Sequence, residues 1–255
     1  MRLPLTLIQR ARDRMTVAAI CVFLAVSAGL WSFLTIAGEM REGETRALDE
    51  KLLLLLRTPG DPNNPLGPRW VEEAMRDITA LGGFTVLTLV AVIGVIALAR
   101  TRRWRAAVVL AGVALGAELT SDLLKLAYAR PRPELTAHGS YVYTHSFPSG
   151  HSTVSTAIYF TLAALLASAV ARRGSRALIL TTTASLVLAI GVSRVYLGVH
   201  WPTDVVAGWA VGSIWAVAGW RLLGSAGAPR VPEDALQNQA SPRAPTRATP
   251  TEGHR

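Results

Sequence analysis

Six apolar stretches, each of roughly 16 to 23 residues, constrain this chain more than any other feature: Thr16–Ala37, Leu81–Ala99, Ala106–Tyr128, Ser152–Ala171, Ala177–Val192 and Val205–Trp220. An α-helix needs about 20 such residues to cross about 30 Å of hydrocarbon, where every backbone polar group must be paired within the segment. The expected fold is therefore all-α, an integral membrane six-helix bundle. Composition agrees, since 51% of the residues are hydrophobic and only 17% charged, a balance unlike that of an ordinary soluble domain. The single cysteine, Cys21, falls inside the first stretch. It excludes a disulfide framework and any multi-cysteine metal site, and reads as a small apolar packer.

The chain carries 26 Lys+Arg against 17 Asp+Glu, yet this excess does not imply nucleic acid. The arginines cluster between apolar stretches, where an inner membrane face attracts them. Arg100–Arg105 holds four arginines, Arg172–Arg176 holds three, and the N-terminal segment 1–15 holds four. By alternation these segments share one side, which the positive-inside rule makes cytoplasmic, in the inner (plasma) membrane of a cell. Both termini are then cytoplasmic, and the loops after spans one, three and five are extracytoplasmic. Arg2, Arg10, Arg12 and Arg14 resemble the start of a signal peptide, but the run that follows is too long for a cleavable one and ends without a cleavage site.

The segment Glu39–Ala80 is too long for a structureless connection. Leu48 and Leu52–Leu56 suggest one short helix, Pro59–Pro68 is turn-rich, and Trp70, Val71, Met75 and Ile78 recur at helical spacing. The expectation is an outer-face insertion with two amphipathic interfacial helices, acting either as a lid or vestibule or as a packed cap. The membrane domain covers residues 16–223, with the insertion at 39–80. Residues 224–255, rich in proline and lacking an apolar period, are expected to be a disordered cytoplasmic tail. Gly112 with Gly116, and Gly208 with Gly212, have the spacing that lets helices approach closely.

Ionisable groups near a bilayer are functional hypotheses, and here they fall in three clusters. Lys125 is followed by Ala-Arg130-Pro-Arg132-Pro, whose prolines end the helix so that Arg132 turns back toward Lys125. Phe147-Pro148-Ser149-Gly150-His151 opens the fourth span, offering helix N-terminal donors beside a histidine; Ser149 could equally be only a cap. Arg194 precedes His200-Trp-Pro-Thr-Asp204, where a carboxylate four residues on can hold the imidazole in one tautomer. An Asp–His pair also suits a structural role or a metal half-site, but cations rather than carboxylates surround this one. The arginine-derived topology puts all three clusters on one face. Their inventory of three cations, helix-terminal donors, two histidines and an orienting carboxylate suits phosphoryl transfer without a metal.

Taken together, these segments resemble the signature of the type 2 phosphatidic acid phosphatase superfamily, from Lys125 through Arg132-Pro133, Pro148-Ser149-Gly150-His151 and Ser193-Arg194 to His200 and Asp204. The resemblance implies a six-helix membrane lipid phosphatase that needs no cofactor and no metal. It assigns His200 as the nucleophile that becomes a phosphohistidine, Asp204 as its orienting partner, and His151 as acid to the leaving oxygen and base to water. Lys125, Arg132, Ser149, Gly150 and Arg194 would hold phosphate oxygens. Asp122 and Glu118 are expected as ion-pair partners, and His138 and His145 as solvated loop residues. The implied partner is a lipid within the bilayer, with undecaprenyl diphosphate first and phosphatidate or phosphatidylglycerophosphate next. Phosphate transfer to another acceptor is the related alternative. A non-catalytic anion or lipid binder of the transporter kind would favour broken helices and internal symmetry, and neither is visible.

Overall fold

The computed structural model describes residues 5–135 and 144–224, with side chains from residue 20 onward except 21 and 22. The expectations for Cys21 as a packer, for His138, for His254 and for the tail from 225 onward lie outside the described residues and side chains.

Among the described residues, eight helices carry the fold: α1 (Leu5–Glu42), α2 (Arg46–Leu54), α3 (Arg69–Ala80), α4 (Phe84–Arg100), α5 (Trp104–Tyr128), α6 (Gly150–Ala169), α7 (Arg173–Tyr196) and α8 (Pro202–Gly224). Five of them, α1 and α5 to α8, are long and apolar enough to cross a membrane. A sixth crossing comes from α4, whose 17 residues reach the length and apolarity of a span only together with α3. It continues α3 after a bend of 44°. The protein is a multi-pass, all-α membrane protein, as its apolar periodicity requires.

Helix α6 is the axis of the bundle, with α5, α7 and α8 packed around it and α1 against α8. Its inward face is polar: Ser152, Thr153, Ser155, Thr156 and Thr161 are all buried. Thr153, Thr156 and Thr161 return their hydroxyl protons to the carbonyls four residues back at 3.0, 2.6 and 2.7 Å, so the helix satisfies them itself. Small residues meet this face from α8. A Cβ on Gly208 would lie 2.7 Å from the Ser149 carbonyl oxygen, and one on Gly212 would collide with the Thr153 carbonyl. The Gly208–Gly212 pair is therefore a helix-packing device. Its counterpart Gly112–Gly116 is only half one, because Gly116 receives the Trp215 ring while Gly112 faces open space. Outward faces are apolar, with Phe23, Trp31, Leu115 and Leu126 among the most exposed side chains.

The 39–80 segment contains the two expected helices, α2 and α3. Between them the turn-rich stretch forms an antiparallel hairpin of β1 (Arg57–Thr58) and β2 (Asp61–Pro65), with Gly60 in the left-handed region at φ 87°. Turn residues mark the reversal in sequence, but so short a pairing has no period to detect. Leu53 is fully buried against Val195, Trp201 and Val205, and α3 packs on α7. The segment is thus a packed cap over one end of the bundle. That end also holds the start of α6 and the α7–α8 connection, while the arginine-rich α4–α5 and α6–α7 connections lie at the other end.

Candidate active site

The cap end is built by three turns. Helix α5 stops at Ala129, which takes a left-handed conformation at φ 46° before the two prolines. Phe147 then plugs an aromatic pocket, 5.6 Å from the Phe33 ring and 5.1 Å from that of Tyr128, so the Pro-Ser-Gly-His segment enters α6 at a fixed place. Helix α7 ends in a turn with Gly198 at φ 71°, and Pro202 opens α8 with the fixed φ that suits a first helical position. His200 is held between those two helices.

These turns bring Lys125, Arg132, Gly150, His151, Arg194 and His200 to the wall of one cavity of about 160 Å³. Asp204 and Ser149 lie just behind it, fully buried. Arg132 donates from Nη1 to the Val199 carbonyl at 2.6 Å and reaches His200 Nε2 at 3.0 Å. Lys125 sits 3.1 Å from Asp122, the expected helical partner. A side chain at Gly150 would place its Cβ 3.1 Å from the Lys125 ammonium, so glycine is what admits that cation to the start of α6. Arg194 donates to Thr79 at 3.0 Å, and its buried Nε has no partner among the described residues. Lys125 and Arg194, both on the cavity wall, thus keep donors that these partners do not use.

Ser149 behaves as a helix cap. Its hydroxyl accepts from the Ser152 N–H and hydroxyl, and its own N–H donates to the Asp204 carbonyl at 3.0 Å. The N–H groups that face outward from the first turn are therefore those of Gly150 and His151. His145 is exposed, as expected of a loop residue. Glu118 was expected to pair; it instead lines the cavity and makes no ion pair among the described residues. The reason is direction: Asp122, one turn nearer, takes the Lys125 ammonium.

His200 is buried, and Nδ1 faces Asp204 Oδ2 at 3.4 Å and Ser146 Oγ at 3.3 Å. A carboxylate only accepts, so Nδ1 carries the proton and the Nε2 lone pair, at the cavity wall, accepts from Arg132 Nη1. Burial pushes the imidazole down to about 4, against the Asp204 hydrogen bond that raises it, and the Arg194 and Arg132 charges push the same way as burial. The ring is neutral at physiological pH, which a nitrogen nucleophile requires.

Three further residues organise Asp204, and motif reading did not place them. Ser146 donates to Oδ2, the Trp201 N–H donates to Oδ2 at 2.9 Å, and Arg130 donates to Oδ1 at 2.5 Å. Arg130 also binds Asp49 of α2 at 2.7 Å. Its charge was visible in sequence, but its partners lie 74 and 81 positions away. From the other side the bend between α3 and α4 contributes Gly82, where a Cβ would strike Ile190 and come within 3.4 Å of the His151 ring.

A buried neutral histidine oriented by a carboxylate, a second histidine, and three cations around one small cavity in a membrane bundle form an arrangement that suits phosphoryl transfer. The sequence model of the PAP2 superfamily matches residues 104–227. Over 188 residues the chain is 30% identical to phosphatidylglycerophosphatase B of Bacillus subtilis, covering 71% of this chain and 85% of that protein. The chain belongs to the PAP2 superfamily, and it is a phosphoric ester hydrolase. Its fold matches the crystal structure of a transmembrane PAP2-type phosphatidylglycerolphosphate phosphatase from B. subtilis at TM-score 0.67 and 25% identity, over 80% of this chain and 98% of that one. It is also 32% identical to an undecaprenyl-diphosphatase of Sulfolobus acidocaldarius, over 36% of this chain and 43% of that protein.

Proposed function

We propose that this protein is a metal-independent lipid phosphatase that works through a phosphohistidine on the extracytoplasmic face of the inner membrane. The observation that carries the reading is the convergence of Lys125, Arg132 and Arg194 with His151 and His200 on one cavity. His200 Nε2 attacks phosphorus, the P–O bond to the lipid breaks, and His151, entering the step as the imidazolium beside the bound phosphate anion, protonates the departing oxygen and is left neutral. Water, deprotonated by His151, then attacks the phosphohistidine, releasing phosphate and restoring His200. Asp204 holds the Nδ1 proton and stabilises the charge that grows on the ring. The three cations, with the N–H groups of Gly150 and His151 at the α6 start that Ser149 caps, hold the phosphoryl oxygens and supply the charge that a divalent ion supplies elsewhere. The arginine-rich connections lie opposite the cavity, which supports cytoplasmic termini and an extracytoplasmic site.

Phosphatidylglycerophosphate leads among the substrates, because the relative matched over most of its length is named for it. Undecaprenyl diphosphate and phosphatidate follow. The test is phosphate release by purified protein in EDTA from these three lipids, with His200→Ala beside it. Release that vanishes in the variant is the expected result, and the fastest lipid names the substrate. No release from any lipid, or release that survives in His200→Ala, overturns the mechanism.

A further inference from the structure

The cap is fastened to the catalytic centre through one buried ionic chain that the phosphatase reading leaves unused. Asp49, on α2, is completely buried. Both of its oxygens are engaged: Oδ2 accepts from Arg130 Nη2 at 2.7 Å and from the Thr203 hydroxyl at 2.7 Å, and Oδ1 accepts from the Thr203 N–H at 2.9 Å. Arg130 spans the gap to Asp204, touches the Thr203 hydroxyl at 2.9 Å, and rests 5.6 Å from the Trp201 ring centre. A buried charge trio of this kind contributes little stability over an apolar replacement, so its presence points to function.

Charge counting gives that function. Arg130 paired with Asp204 alone would form a neutral couple, and the imidazolium that grows at His200 during phosphoryl transfer would face no net negative charge. With Asp49 included, two carboxylates share one guanidinium and the group carries a net charge of −1. We propose that Asp49 is a positioning residue of the reaction: through Arg130 it leaves Asp204 free to act as a full negative charge on His200, while fixing where that carboxylate stands. The cap is thereby part of the catalytic apparatus. This inference rests on His200 being the nucleophile.

The experiment compares wild type, Asp49→Asn, Arg130→Gln and the double variant on the lipid that wild type hydrolyses fastest, with His200→Ala as reference. Asp49→Asn makes the group neutral and should lower kcat by at least about tenfold with little change in KM, a loss in the range expected when one preorganised charge is removed from a reacting group. The acid limb of kcat/KM should also move to lower pH. The other charged or titratable groups facing His200 or its cavity are Arg132, Lys125, Arg194, His151, Glu118 and Asp204, all intact in this variant. The double variant restores a net charge of −1 with no unpaired arginine, so it should be more active than Asp49→Asn and return the acid limb toward wild type. It also remains informative where a single variant fails to fold. A merely structural Asp49 predicts the opposite, a double variant no better than Asp49→Asn, and that result overturns the proposal. An unmoved kcat in folded Asp49→Asn overturns it as well. Phosphate release by wild type that disappears in His200→Ala keeps the phosphatase reading separate from either outcome.

Discussion

At the cap end of the bundle Arg130 is clamped between two buried carboxylates and Arg194 is buried against Thr79. At the opposite end Arg102, Arg103, Arg105, Arg172 and Arg173 are all exposed. The residue type is the same, but the physics differs. Exposed arginines act by their number, through weak and screened attraction to a lipid surface. Buried ones act by position, because desolvation makes each contact costly to lose. Replacing a charge should therefore be nearly silent at one end and severe at the other.

The harshest break in that comparison is His200→Ala, which should cut phosphate release by at least about a thousandfold, since it removes the nitrogen that forms the covalent intermediate. Lys125→Met should follow with a loss of about a hundredfold in kcat, the range for one preorganised donor at a developing charge, measured in the same assay. Gly212→Leu tests the packing behind the site. Its added side chain meets the Thr153 backbone, and thermal unfolding in detergent should show a destabilisation of about 3 kcal/mol.

A gentler probe is pH. His200 lies at about 4 when folded against an ordinary 6.5, mainly through burial, so protons bind the unfolded chain more tightly. Its contribution to stability is complete above pH 6.5 and falls away as pH drops through 4. Turnover depends on the folded protein alone, so its acid limb should be centred near 4, and a kcat/KM profile whose acid limb is centred near the ordinary 6.5 would contradict a His200 nucleophile held neutral by burial. At the other end, Arg102→Gln with Arg103→Gln should change turnover less than about twofold and stability by no more than about 0.5 kcal/mol. A large loss there would show that the exposed arginines have partners after all.

Much of this was readable before any coordinates. Membrane spans announce themselves because the bilayer demands long uninterrupted apolar runs, and the observed helices end within several residues of the expected ones, α1 excepted. Lys125, His151 and His200 were found because charge near hydrocarbon is expensive and therefore conspicuous. Ser149 shows the limit. Its residue type suits both a cap and an anion donor, and only its contacts reveal that the hydroxyl and N–H are already occupied.

By itself the sequence determined the class of fold and the residue types available to the proposed site, both of which follow from residue type and local spacing. Only the tertiary structure decided how that inventory is held. The joining of Asp49 to Arg130 and Asp204, of Thr79 to Arg194, and of Gly82 to His151 crosses 69 to 115 positions of chain. No local periodicity encodes a pairing at such separations. It arises when the cap packs on the bundle and a buried charge must find its partner wherever the fold has brought one.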